Sequence, residues 1–102
     1  DGEADLAILA LVLHHVPDPP AALAEAARVL GRGGRLLVVD MRPHDRVEYR
    51  EEMGHLWQGF EASLFLEWLA KAGFERTRVR PLPPTPEAQG PLLFVAHGRK
   101  RD

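Results

Sequence analysis

The chain has 102 residues, the size of one small domain, and its net charge of -2 makes no electrostatic case for a nucleic-acid partner. With 45% hydrophobic and 27% charged residues it has an ordinary globular composition. The absence of cysteine excludes disulfides, a thiolate metal site and a cysteine nucleophile.

The first residues bear on organisation. The chain begins at Asp1, without methionine, a few residues ahead of a buried-looking strand, which suggests a fragment or a processed product. Asp5 to Leu13 is a continuous apolar run. Alanine and leucine also suit a buried helix, but the run is short and a clear helix start follows it, which favours a strand. Its core, Leu6 to Leu13, is too short to span a bilayer, and no basic region precedes it. The expectation is a cytoplasmic protein with no membrane partner.

Asp18 is placed as an N-cap with Pro19 at the first helical position. From Ala21 to Leu30 the helical spacing puts Leu23, Ala26, Ala27 and Leu30 on one face and turns Glu25 and Arg28 outward. Gly31 ends the helix, and Gly33 and Gly34 offer positive φ for the exit. The chain is organised around the next stretch, Arg35-Leu36-Leu37-Val38-Val39-Asp40. Its apolar residues show no alternation, so it reads as a central parallel strand covered on both faces. Strand, helix, glycine turn and strand make a right-handed βαβ unit. Asp40 then stands at the strand's C-terminal end, where open α/β sheets place ligands. A plain turn or cap role is the alternative for it.

Met41 to Gly59 is polar and has no clean period. Arg46 to Met53 suits a helix, with Tyr49 and His55 among the chemistry-bearing residues nearby, although a solvated surface helix explains the same pattern. Trp57 and Phe60 anchor this segment to the core. Ala62 to Ala72 is an amphipathic helix with Phe65, Leu66, Leu69 and Ala72 on one stripe and Gly73 after it. Glu75 to Arg80 alternates loosely and is highly charged, as an edge strand is. Pro81 to Pro91 holds five prolines and is a stiff connection. Pro91 to His97 is the last strand, antiparallel to its predecessor because no helix intervenes. Arg99-Lys100-Arg101 is offset by Asp102 and reads as a solvated tail.

Several of these phrases together resemble a known family. Leu13-His14-His15-Val16-Pro17-Asp18-Pro19, Leu23, Ala27-Arg28-Val29-Leu30, Gly33-Gly34-Arg35-Leu36 and Val39-Asp40 are similar to the second half of class I S-adenosyl-L-methionine-dependent methyltransferases. The nearest type is the one fused to winged-helix regulators of the arsenic-repressor kind. It also carries segments like His44-Asp45, Arg50-Glu51, Met53-Gly54-His55, Trp57, Gly59-Phe60 and Leu69, Ala72-Gly73-Phe74. The resemblance covers roughly Ala4 to Arg99. It implies an α/β fold, a partial Rossmann-like sheet of strands four to seven in the order 4-5-7-6. The last strand would be antiparallel, with helices on both faces and residues 1–102 forming one domain.

The resemblance also implies sites. Ala10, Leu11 and His15 would border the cofactor. His14 and His15 would be the catalytic pair, with one of them available as a proton acceptor. Asp40, Tyr49 and His55 would serve a small-molecule methyl acceptor. A plain turn role for the two histidines stays open, and methyl transfer to a soft nucleophile needs only proximity and alignment. Adjacent histidines on a turn diverge, and no other histidine stands at a metal spacing, so no metal is expected. The family's glycine-rich turn and its ribose-binding acid are not in this sequence. The Gly31–Gly34 turn sits between a helix and a strand and cannot replace the first. Weak or no cofactor binding, and no activity for the chain alone, are therefore the expectation. The alternative is a non-catalytic unit that homodimerises through the open edge of its first strand.

Overall fold

The computed structural model describes residues 2–42, 60–83 and 92–101. Their order is β1 (Ala4–Ala10), a 3-10 turn (Leu13–His15), α1 (Pro19–Val29), β2 (Leu30–Met41), α2 (Ala62–Ala72), β3 (Phe74–Pro81) and β4 (Leu93–Lys100). The four strands form one sheet in the order β1-β2-β4-β3. β1 and β2 run parallel, while β4 is antiparallel to both β2 and β3. This is the 4-5-7-6 order with an antiparallel last strand, and β2 is central as its unbroken apolar run requires.

Local signals explain most element ends. The Asp18 carboxylate accepts from the Ala21 N–H at 3.2 Å and caps α1, with prolines in the first turn where their missing N–H costs nothing. Gly73, at φ 103, closes α2 in the left-handed conformation. The glycine turn differs from expectation in detail. Only Gly33 adopts positive φ, at 74. Gly34 is needed for space instead, because a Cβ there would stand 2.8 Å from the Gly31 carbonyl oxygen. The turn is absorbed as an irregularity in the β1–β2 ladder, between the Ala4–Leu30 and Leu6–Arg35 pairs.

Both described helices pack on the same face of the sheet. Leu23, Ala26 and Ala27 of α1 and Phe65 and Leu69 of α2 meet Leu36, Val38, Phe94 and Ala96 from the strands in one core. Phe60 joins it, and its N–H donates to the Met41 carbonyl at 3.0 Å. The resemblance implies helices on both faces; among the described residues α1 and α2 both lie on one face. Among the described residues no helix covers the other, where Leu37 and Val39 are half-buried beside their strand neighbours and Leu6 and Ile8 of β1 are each 56% exposed. No helix among the described residues is long and apolar enough to cross a membrane. The expected helix at Arg46–Met53, Trp57 and most of the proline-rich connection lie outside the described residues.

Candidate functional site

The C-terminal ends of β1 and β2 lie side by side because the α1 crossover makes the two strands parallel, pairing Ala10 with Val39. One more ladder bond follows, from the Leu11 N–H to the Val39 carbonyl at 2.7 Å. There the chain turns sharply. Leu11 adopts φ 57, a left-handed conformation that costs an L-residue with a Cβ about 1–2 kcal/mol. The turn sends Val12 outward and drives Leu13 and His14 into the protein, at 1% and 2% exposure. Strain of this kind persists where surrounding contacts demand it, often at functional sites.

The strain has a measurable consequence. Leu11→Asn, which tolerates the left-handed region, should unfold at or above the wild-type temperature, whereas β-branched Leu11→Ile should lose about 1 kcal/mol or more. Equal melting temperatures for the two variants would remove strain from the account.

Asp40 is the group the turn is built on. It is fully buried at the end of β2. One carboxylate oxygen accepts from the Leu13 N–H at 3.1 Å. The other accepts from His14 Nδ1 at 2.7 Å and from the Met41 N–H at 2.8 Å. A carboxylate already serving two backbone donors acts as acceptor toward the ring as well, so Nδ1 donates the proton between them. His15, by contrast, is exposed, and its ring lies 4.2 Å from that of His14, tilted by 44°. The two histidines therefore differ in setting, one locked inside and one at the surface.

The structure brings together Ala10, Leu11, His14, His15 and Asp40 at one end of the sheet, with Ala10 and Leu11 exposed. Tyr49 and His55 lie outside the described residues. Among the described residues no group of three or more histidine, aspartate or glutamate side chains converges as a metal site would. The exposed rim of Ala10, Leu11 and Val12 is an apolar shelf beside a titratable ring.

Comparison with known proteins places this arrangement. A family model described as a methyltransferase domain matches residues 1–38, the stretch holding β1, the histidine turn, α1 and most of β2. No curated protein sequence matches the chain. Among solved structures, an S-adenosylmethionine-dependent methyltransferase from Thermotoga maritima is similar at 26% identity and a TM-score of 0.74, over 95% of this chain and 56% of that one. Human N-acetylserotonin methyltransferase, solved with S-adenosylmethionine, is similar at 22% identity and a TM-score of 0.69, over 98% of this chain and 30% of that one. Haemonchus contortus phosphoethanolamine N-methyltransferase 2, solved with phosphomonomethylethanolamine and S-adenosylhomocysteine, gives 12% identity and a TM-score of 0.79, over 99% and 34% respectively. The chain spans 56% or less of each of these three. It has a class I S-adenosylmethionine-dependent methyltransferase fold, in the part that carries strands four to seven.

Proposed function

We propose that residues 1–102 form the C-terminal half of a methyltransferase catalytic domain that transfers a methyl group from S-adenosylmethionine to a small molecule. The observation that carries this reading is the buried His14–Asp40 pair at the joined ends of β1 and β2. It spends two ionisable side chains on holding one turn of a methyltransferase-type sheet in place, and that turn presents His15.

In this reading the described residues take roles that fit their setting, and Tyr49 and His55 take theirs from the resemblance. Ala10, Leu11 and His15 border the cofactor, which when bound supplies an electrophilic methyl group on a sulfonium sulfur. Asp40 serves the acceptor side through its hold on His14, with Tyr49 and His55 as further acceptor contacts. Toward an N–H or O–H acceptor the bound cofactor would supply that methyl group to the acceptor's lone pair, its sulfur leaving as the thioether, and the acceptor would release a proton. The displaced proton goes to a histidine nitrogen. His15 is the exposed ring and takes that part; His14, at 2% exposure, positions it. Fixing the turn in advance saves orientation cost at the moment of transfer.

The glycine-rich turn and ribose-binding acid of the family are not in these 102 residues. The chain alone is therefore expected to give no calorimetric binding of S-adenosylmethionine in the micromolar range. The reading frame extended upstream of Asp1 should bind it and methylate, and His15→Ala in that protein should lower kcat by about a hundredfold or more. Micromolar binding by the chain alone, or an unchanged kcat in the variant, overturns the reading.

A second reading rests on a separate observation. β1 ends the sheet, and its Leu6 and Ile8 are each 56% exposed. Such an edge is a template for pairing with a second copy about a two-fold axis, giving a non-catalytic homodimer. Light scattering at high concentration that finds only monomer excludes it.

A further inference from the structure

The opposite edge of the sheet is β3, and it carries a different chemistry. Arg76, Arg78 and Arg80 line a trough of about 410 Å³ whose floor is Val95 and His97 of β4. The register explains the alignment, since Arg78 pairs with His97 and Arg80 with Val95, putting both arginines on the face away from the helices. Arg76 is brought into line by an irregularity between Glu75 and Arg78, where it adopts φ 52. That conformation is one L-residues avoid, and it leaves Arg76 and Thr77 together opposite Gly98, between the Glu75–Arg99 and Arg78–His97 pairs. Glu75 is engaged by Arg99 at 2.7 Å. Among the described residues, none of the three guanidinium groups on β3 has an ion-pair partner.

Charged side chains on an edge strand commonly just discourage strand pairing. One such charge suffices for that. Three like charges lining one trough repel one another, with Arg78 and Arg80 about 7 Å apart along the regular part of the strand. A strained backbone position that adds the third makes the repulsion worse. An anion with the same repeat offsets both costs. An extended peptide carrying carboxylates at alternate positions matches Arg78 and Arg80, and among the described residues no strand pairs with the outer side of β3, whose backbone N–H and C=O groups run up to Pro81. An oligonucleotide fits less well, because the chain is net negative and no phenylalanine, tyrosine or tryptophan lines the trough for base stacking.

We propose that β3 is a docking edge for an extended acidic peptide segment, which adds as an outer strand and sets alternate carboxylates against Arg76, Arg78 and Arg80. Backbone pairing supplies register and affinity, and the arginines supply selection for acid. The proposal does not rest on the methyltransferase reading, since β3 lies at the far edge from the His14–Asp40 turn.

The test is fluorescence anisotropy of a labelled alternating Thr-Glu peptide titrated with the chain. Binding is expected at low salt and should weaken about tenfold or more at high salt. R78E/R80E changes two exposed residues and should fold, as checked by circular dichroism, yet bind about tenfold or more weakly. An alternating Thr-Lys peptide should bind that variant and not the wild type. A Thr-Glu peptide N-methylated at alternate residues should fail to bind. Equal binding of the N-methylated peptide, a short oligothymidine that binds as tightly as the acidic peptide, or no difference between wild type and variant would each overturn the proposal. Should the variant misfold, the salt titration and the N-methylated peptide decide on the wild-type chain.

Discussion

Asp40→Ala is expected to destabilise the fold by about 3–5 kcal/mol, because three buried donors lose their acceptor at once. The reason is the number of donors that a single carboxylate serves. The Leu13 N–H, His14 Nδ1 and the Met41 N–H all end on it, and the residue is 0% exposed. Each buried donor left without an acceptor costs about 1–3 kcal/mol. Water entering the space the carboxylate vacates recovers part of the sum. A domain of this size has roughly 5–15 kcal/mol in total, so the loss is a large share. At about 4–8 °C per kcal/mol, the melting temperature should fall by at least about 12 °C. Asp40→Asn keeps the shape but offers one acceptor oxygen and turns an NH₂ toward a donor, so it should fall between wild type and the alanine variant. A melting temperature within a degree or two of wild type for Asp40→Ala would mean that the carboxylate does not tie the β1 turn to β2.

The second large effect is expected at Phe65. Its ring is fully buried and meets Phe94 of β4 at 5.2 Å, Phe60 at 5.8 Å and Trp68 at 6.1 Å, all tilted or edge-on. It is the side chain through which α2, the sheet and the returning strand of chain at Phe60 share one cluster. Phe65→Ala should cost about 3–5 kcal/mol, from lost transfer energy and from a cavity that rigid neighbours cannot collapse. Aromatic pairs contribute about 0.5–1.5 kcal/mol beyond their area, which places this site toward the upper end. The measurement is urea unfolding, in which the midpoint falls while the slope is preserved. A preserved midpoint would show that the cluster is not a keystone of the core. A shallower slope would show that α2 has come loose from the sheet before global unfolding.

How far these sites were legible in advance depended on the range of the signal. The cap at Asp18, the apolar stripe of α1, the closure of α2 at Gly73 and the charged edge character of β3 all depend on neighbours within a few positions, and each stands in the structure where local chemistry puts it. Central placement of β2 was legible from its unbroken apolar run, Leu36 to Val39, which asks for cover that an exposed edge does not give. The left-handed Leu11 left no mark in the residue type, since a leucine is unremarkable at the end of an apolar run. The irregularity that aligns Arg76 with Arg78 and Arg80 was equally silent, because loose alternation of charge looks the same with or without it. Asp40 was placed correctly at the end of its strand, but its commitment to His14 was not visible.

What the amino-acid sequence determined by itself was therefore the elements, their order and the way the strands are connected, because periodicity, caps and connection lengths are short-range properties of the chain. The tertiary structure alone decided which groups meet. His14 and Asp40 are 26 residues apart and form their 2.7 Å bond only because a helical crossover returns β2 parallel to β1, bringing the two strand ends into one register. It also decided which of two adjacent histidines is buried and which faces solvent, since that follows from a single backbone turn at Leu11.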